Sequence, residues 1–97
     1  MAPKTQPKYV VVRTYSAGVE CGELIERNGK EVTLANSRKI WSWTKRLTLH
    51  EVALNGVGEG SRMSAPVPVA ELTEAIEILH CSAEGEKALR GFNAYVP

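Results

Sequence analysis

The chain of 97 residues contains no aspartate, so all eleven of its acidic residues are glutamate. This absence removes the aspartate of the usual hydrolytic triads and disfavours carboxylate-rich metal sites. The sequence also lacks P-loop, G-x-S-x-G and H-E-x-x-H motifs. We therefore predict a protein that is not an enzyme and that carries no cofactor.

Cysteine and long apolar runs are also scarce. Cys21 and Cys81 are far apart and lack C-x-x-C spacing, so we expect buried reduced thiols, with a disulfide as the alternative, and no metal site. No apolar run approaches the roughly 20 residues that span a bilayer, and the first eight residues lack the apolar core of a signal peptide. A cytoplasmic protein that does not contact a membrane is expected.

The length predicts a single small β-rich domain at residues 8–97 with one modest core. Residues 1–7 lack an apolar core and are predicted to be a disordered leader. Charge is unevenly divided. Residues 1–46 carry nine Lys/Arg against four Glu, and residues 47–97 carry three against seven. This division favours either a basic face for an anionic ligand or attraction between subunits, and we expect a homo-oligomer.

Local patterns predict three antiparallel strands in the first half of the chain. The β-branched run 8–15 predicts the first strand and the run from Val19 the second, with Asn28-Gly29 as a hairpin turn before the third strand at 30–35. Gly22, inside the second strand, indicates a bend.

The second half combines short helices with further strands. Thr48 and Glu51 form a capping-box pattern before a two-turn helix, and Ser82 can cap a last helix that ends near Gly91. Residues 67–81 fit helical spacing as well as strands, and their prolines favour strands. The predicted fold is mainly β (α+β), a small bent antiparallel sheet or barrel with one or two short helices.

Residues 36–46 contain both tryptophans and four of the twelve basic residues. If this ribbon is extended, alternate side chains share a face, which would align Lys39, Trp41, Trp43 and Lys45 opposite Arg38 and Arg46. Flat aromatic and cationic groups suit a base and a phosphate. We expect one tryptophan in the core and one available to a ligand, and a solvated charge run is the alternative for the basic residues.

A second candidate feature is the turn that follows the first strand. Arg13 and Tyr15 adjoin Ser16-Ala17-Gly18, whose backbone N–H groups could form an anion nest. The alternative is a structural Arg13 paired with Glu20 or Glu23 across the hairpin. The complete predicted ligand-binding set is Arg13, Tyr15, Ser16, Gly18, Arg38, Lys39, Trp41, Trp43, Lys45 and Arg46.

The motifs Arg-Thr-Tyr-Ser-Ala-Gly at 13–18 and Arg-Lys-Ile-Trp-Ser-Trp at 38–43, together with residues 71–78, resemble a family of small uncharacterised proteins of tailed bacteriophages and prophages. The likeness covers residues 8 to about 80. It implies a viral accessory protein in the cytoplasm of an infected bacterium and lends no established activity. Thr44-Lys45-Arg46 is bulkier and more basic than the small residues found there in that family.

A second likeness is to Sm-like barrels. Residues 19–24, 29–34 and 89–93 resemble the two Sm motifs, although the aspartate of the first motif is absent and a helix intervenes. The likeness implies only that a strongly bent three-stranded meander can close into a small barrel.

The leading functional hypothesis is a non-enzymatic phage accessory protein that binds an anionic nucleotide-like ligand and sequesters a host antiviral signalling nucleotide. One tryptophan would stack on the base, while Arg13, Arg38 and Lys39 would hold phosphates. The first alternative is a protein-interaction or virion-associated module, in which the ribbon contacts another subunit or a host or virion protein. The second alternative is single-stranded nucleic-acid binding, which would show a steep salt dependence.

Overall fold

A computed structural model of the chain describes residues 8–96, so the leader predicted at residues 1–7 lies outside the described residues. The elements in chain order are β1 (Lys8–Thr14), β2 (Val19–Asn28), β3 (Glu31–Ser42), α1 (Leu49–Asn55), β4 (Arg62–Met63), β5 (Val67–Leu72), β6 (Ala75–His80) and α2 (Ala83–Gly91). The mainly β class with two short helices is confirmed. Residues 67–81 form strands, as their prolines favoured.

The six strands form one antiparallel sheet in the order β4-β3-β2-β1-β6, and β5 pairs with β3. β3 is long enough to pair with two strands along the same edge. Its first half pairs with β5, from Val32 opposite Leu72, and its last residues pair with β4, where Ser42 lies opposite Arg62. The sheet is open, so the barrel that we considered as the alternative does not form.

The predicted bend at Gly22 coincides with a β-bulge. Two residues of β3, Asn36 and Ser37, lie opposite Gly22 of β2, and Asn36 has a φ of 51°. A Cβ on Gly22 would lie 3.0 Å from the carbonyl oxygen of Ala35, so the close approach of the two strands favours glycine, and a larger residue would push the strands apart by a few tenths of an ångström.

The sheet also curls so that the β2–β3 hairpin reaches the link between β5 and β6. There the N–H of Ala75 donates to the carbonyl of Lys30 at 3.0 Å. This contact ties the tip of the hairpin to the start of β6.

The sheet divides the core into two clusters, because alternate side chains of β1 point to opposite faces. Tyr9 and Val11 join the cluster beneath the helices, whereas Val10 and Val12 join a cluster built from strands. The helix-side cluster contains Tyr9, Val11, Cys21, Ile40, Leu49, Val52, Ala53, Val57, Met63 and Leu89. The strand-side cluster contains Val10, Val12, Val32, Leu34, Leu72 and Ala75. The single core expected from the length is therefore two clusters that share one sheet.

The two helices begin where their caps predicted. The Ser82 hydroxyl accepts from the N–H of Gly85 at 3.0 Å, as expected of an N-cap. Thr48 occupies the N-cap of α1 but makes no side-chain cap bond, and the Glu51 carboxylate accepts instead from the N–H of Leu47 at 2.8 Å. Within residues 8–96, neither helix has the length and apolar character needed to cross a membrane.

Candidate functional site

The tryptophan-containing ribbon is not one extended strand. β3 ends at Ser42, and Lys45 adopts a left-handed conformation with a φ of 62°. Trp43 is half-buried against the helix-side cluster, whereas 47% of Trp41 is exposed. The two tryptophans therefore do not share a face as predicted. The expected division between core and surface holds only in part, because Trp41 is exposed but Trp43 is partly buried against the core.

Arg38 is buried in the framework, with only 4% of the residue exposed. Its Nε donates to the carbonyl of Ser64 at 2.9 Å, and its Nη1 donates to the carbonyl of Leu89 at 2.7 Å. These bonds fasten the end of α2 to β3. The guanidinium is not available to a phosphate, so we remove Arg38 from the predicted ligand-binding set.

Arg46 also binds backbone carbonyls. Its Nε donates to Gly56 at 2.8 Å and its Nη1 to Lys45 at 2.8 Å, which secures the end of α1. Because these groups are engaged, Arg46 is removed from the predicted set as well. Lys45 is exposed and makes no salt bridge within residues 8–96.

Lys39 joins the ribbon to the turn after β1. Its Nζ lies 3.1 Å from the Glu20 carboxylate and also donates to the carbonyl of Ala17. Glu20 is only 8% exposed, and its other carboxylate oxygen accepts from the Ser37 hydroxyl at 2.8 Å. A buried carboxylate needs such partners, so the charge of Lys39 is committed to Glu20 rather than to a ligand.

The turn after β1 has several of its polar groups engaged within the protein. The N–H of Tyr15 donates to the carbonyl of Glu74 at 3.0 Å, and the N–H of Ala17 donates to the Thr14 hydroxyl at 2.8 Å. The Ser16 hydroxyl donates to the Glu74 carboxylate. The N–H of Ala17 is therefore occupied, and the Glu74 carboxylate beside the turn would repel an anion, so these surroundings disfavour the predicted nest, which stays a prediction.

The remaining residues predicted near this turn have other surroundings. Arg13 lies 3.9 Å from Glu77 of β6, its partner across the strands, rather than near Glu20 or Glu23. Gly18 has a φ of 85°, which a turn requires of it. Tyr15 is 79% exposed.

Trp41 instead contacts residues that the sequence analysis missed. The Tyr95 ring meets it edge-on, with the centroids 5.6 Å apart and the planes at 90°. The Arg62 guanidinium lies over the Tyr95 ring, with its Cζ 4.7 Å from the ring centroid. We call Trp41, Arg62 and Tyr95 the aromatic surface.

Strand pairing brings these three residues together. Arg62 lies on β4 beside the end of β3, and the N–H of Tyr95 donates to the carbonyl of Met63 at 2.9 Å. The tail after the last helix, residues 93–96, contains an aromatic and an apolar residue, and this is the one sequence signal that could have found Tyr95. Arg62 lies in the glycine-containing stretch 57–64, which the sequence analysis did not assign to a strand, whereas two strand residues occur there.

The aromatic surface combines exposed π-systems with a cation. Tyr95 is 42% exposed, and Arg62 is exposed and makes no salt bridge among the residues that the structure describes. By contrast, a cavity of about 310 Å³ beside the β2–β3 hairpin is lined by Glu26, Glu31 and Glu71. An anionic aromatic ligand is therefore better suited to the aromatic surface than to that cavity.

The two free thiols are poor nucleophiles. Burial raises the pKa of the Cys21 thiol to about 11 and that of the Cys81 thiol to about 12. Both are protonated at neutral pH, and the thiolate is the reactive form. Their packing beside the helix-side cluster gives them a structural role.

Comparison with known proteins identifies the family of the chain but not its activity. The family described as Domain of unknown function (DUF6948) matches residues 7–89, and the chain belongs to it. Searches of curated proteins and of solved structures found no match. The matched residues include Trp41 and Arg62 and end before Tyr95.

Proposed function

We propose that the protein is a non-enzymatic binding protein whose aromatic surface holds an anionic, nucleotide-like ligand. The observation that carries the proposal is that exposed Trp41 and Arg62, which makes no salt bridge within residues 8–96, lie on neighbouring strands and contact the same aromatic ring. A base would stack on Trp41, and such stacking contributes about 1–3 kcal/mol per base. Arg62 would pair with a phosphate through its planar guanidinium.

The resemblance to phage proteins supports a biological setting for this binding. We propose an accessory protein that acts in the cytoplasm of an infected bacterium and sequesters a host antiviral signalling nucleotide. The motif at residues 38–43 then has two roles. Arg38 and Trp43 stabilise the fold, while Trp41 is presented to the ligand.

The first test is native mass spectrometry of the protein purified from bacteria, followed by denaturation and mass analysis of any released molecule. Cyclic di-AMP then serves as a defined probe, and calorimetric titration measures its affinity for the protein. We expect Trp41→Ala and Arg62→Ala each to weaken binding about tenfold, because each removes a stacking or charge-assisted contact.

Arg27→Ala is the matched control, since Arg27 is exposed on the distant β2–β3 hairpin. It should leave affinity within about twofold, as expected of a distant surface charge. An equal loss in the Arg27 and Arg62 variants would mean attraction by net charge alone. Absence of both a retained molecule and probe binding would count against the proposal.

Single-stranded nucleic-acid binding is separated from this proposal by salt. Counterion release makes oligonucleotide affinity fall steeply with ionic strength, roughly as the number of phosphates contacted. A dA10 oligonucleotide that binds more tightly than cyclic di-AMP, with such a slope, would favour that alternative.

Exposed apolar side chains on edge strands favour a second candidate function, a protein-interaction module. Val67 and Val69 of β5 are 47% and 60% exposed, and Ile76 of β6 is 54% exposed. A homo-oligomer, or a host or virion protein, would cover them. Native mass spectrometry reports the subunit number, and Val69→Lys should dissociate an oligomer that uses β5, whereas Ile25→Lys on β2 provides an exposed control.

A further inference from the structure

Tyr95 contacts both side chains that the proposed function assigns to the ligand. It lies edge-on to Trp41 with the centroids 5.6 Å apart, and its face is covered by Arg62 at 4.7 Å. A nucleotide on this surface would need the same two side chains, with its base on Trp41 and its phosphate on Arg62. The protein therefore already carries an aromatic group at the place where the ligand is proposed to bind.

Few contacts hold the segment that carries this ring. Residues 93–96 have no regular secondary structure, and within residues 8–96 a single backbone hydrogen bond, from Tyr95 to Met63, joins them to the sheet. Val96 is 81% exposed. Segments with so few buried contacts open at low free-energy cost, well below that of global unfolding.

The chain immediately before this segment is firmly attached. Arg38 donates to the carbonyl of Leu89 in the last turn of α2, and Phe92 packs against the helix-side cluster. Residues 93–96 can therefore leave the sheet while α2 stays in place. The segment also lies beyond the residues that match the family, whereas Trp41 and Arg62 lie within them.

We propose that residues 93–96 are a built-in competitor, in which Tyr95 occupies the position of the ligand ring and must be displaced before the ligand binds. This inference rests on the proposed function, because it takes Trp41 and Arg62 as the ligand contacts. Only molecules with Tyr95 displaced can bind the ligand. The apparent affinity is therefore the intrinsic affinity multiplied by the fraction of such molecules. Tyr95 thus regulates the surface through an equilibrium within one chain.

The test compares Tyr95→Ala with Tyr95→Phe in the full chain. Tyr95→Ala removes the competing ring, and we expect it to bind cyclic di-AMP about three- to tenfold more tightly, since exposed aromatic and cation–π contacts are individually modest. Tyr95→Phe retains the ring and its contacts and should bind like the wild type. A ligand-free measurement is acrylamide quenching of Trp41 in a Trp43→Phe background, which Tyr95→Ala should increase. Thermal unfolding checks that each variant is folded.

The outcomes separate this inference from the proposed function. If the wild type binds the probe and Tyr95→Ala binds no more tightly, the competitor is overturned while the function stands. Weaker binding by Tyr95→Ala would make Tyr95 part of the binding platform and would also overturn it. If neither protein binds and no molecule is retained from bacteria, the proposed function fails and the competitor fails with it.

Discussion

The protein contains two tryptophan–arginine pairs, one that stabilises the fold and one that lies at the surface. Trp43 packs against the helix-side cluster, and Arg38 donates to the carbonyls of Ser64 and Leu89. Trp41 and Arg62 lie at the surface, where the guanidinium rests on the Tyr95 ring. Residue type alone therefore does not decide which cation or aromatic ring can meet a ligand.

Helix ends explain much of the difference. The last carbonyls of a helix have no partner within the helix, and a nearby cation satisfies them. Arg38 and Arg46 serve the ends of α2 and α1 respectively. Arg62 lies on β4, and its guanidinium makes no hydrogen bond or salt bridge within residues 8–96.

The largest contrast should appear when each arginine is removed. Arg38→Ala strands buried carbonyls and leaves a cavity, so we expect a loss of about 3 kcal/mol in the free energy of unfolding. Arg62→Ala should cost less than about 1 kcal/mol, because it removes one exposed cation–π contact. Urea denaturation of both variants measures the difference. Equal losses would abolish the distinction between framework and surface arginines.

A glycine at the contact between the two helices provides a second test of the packing on the helix side of the sheet. A Cβ on Gly85 would overlap the carbonyl oxygen of Ala53, where α2 meets α1. Gly85→Ala should therefore cost about 2 kcal/mol, as expected of overpacking against backbone. A Cβ on Gly91, at the end of the same helix, meets no atom within 4 Å, so Gly91→Ala should leave thermal stability nearly unchanged. A stable Gly85→Ala protein would show that the two helices can separate without penalty.

Alkaline pH should weaken the helix side selectively. Burial raises the pKa of Cys21 from 9.0 to about 11 and that of Cys81 from 9.0 to about 12. A raised folded-state pKa means that the stabilising contribution is complete below pH 9 and is lost as the pH rises towards 11–12. We expect a loss of about 1 kcal/mol per thiol at pH 10. Urea denaturation at pH 7, 9 and 10 measures it, and the Cys21→Ala variant should lose less.

The smallest expected effect distinguishes the two tryptophans. Trp43→Phe should lower the free energy of unfolding by about 1 kcal/mol, because it trims a ring packed on the core. Trp41→Phe should cost less than about 0.5 kcal/mol, as for most surface substitutions. The remaining tryptophan should be quenched more readily by acrylamide in Trp43→Phe than in Trp41→Phe. Reversed quenching would reverse the assignment of core and surface.

Part of the ribbon prediction failed for a local reason. Alternation of side chains holds only while a strand is regular, and β3 contains a bulge at Asn36 and ends at Ser42. Arg38 could not be assigned from its neighbours, because its partners at Ser64 and Leu89 are 26 and 51 residues away in sequence. The aromatic surface was missed for the same reason, since it depends on how β3, β4 and Tyr95 are paired.

Patterns of residue type by themselves determined the mainly β class, the bend at Gly22, the first residues of both helices, the Ser82 cap and the exposure of one tryptophan. These features depend on interactions between residues that are close along the chain, such as turn geometry, capping and side-chain alternation. Only the tertiary structure decided which cations are occupied by carbonyls or carboxylates and which residues surround Trp41. Those outcomes depend on strand register and helix placement, which bring together groups that are distant in the sequence.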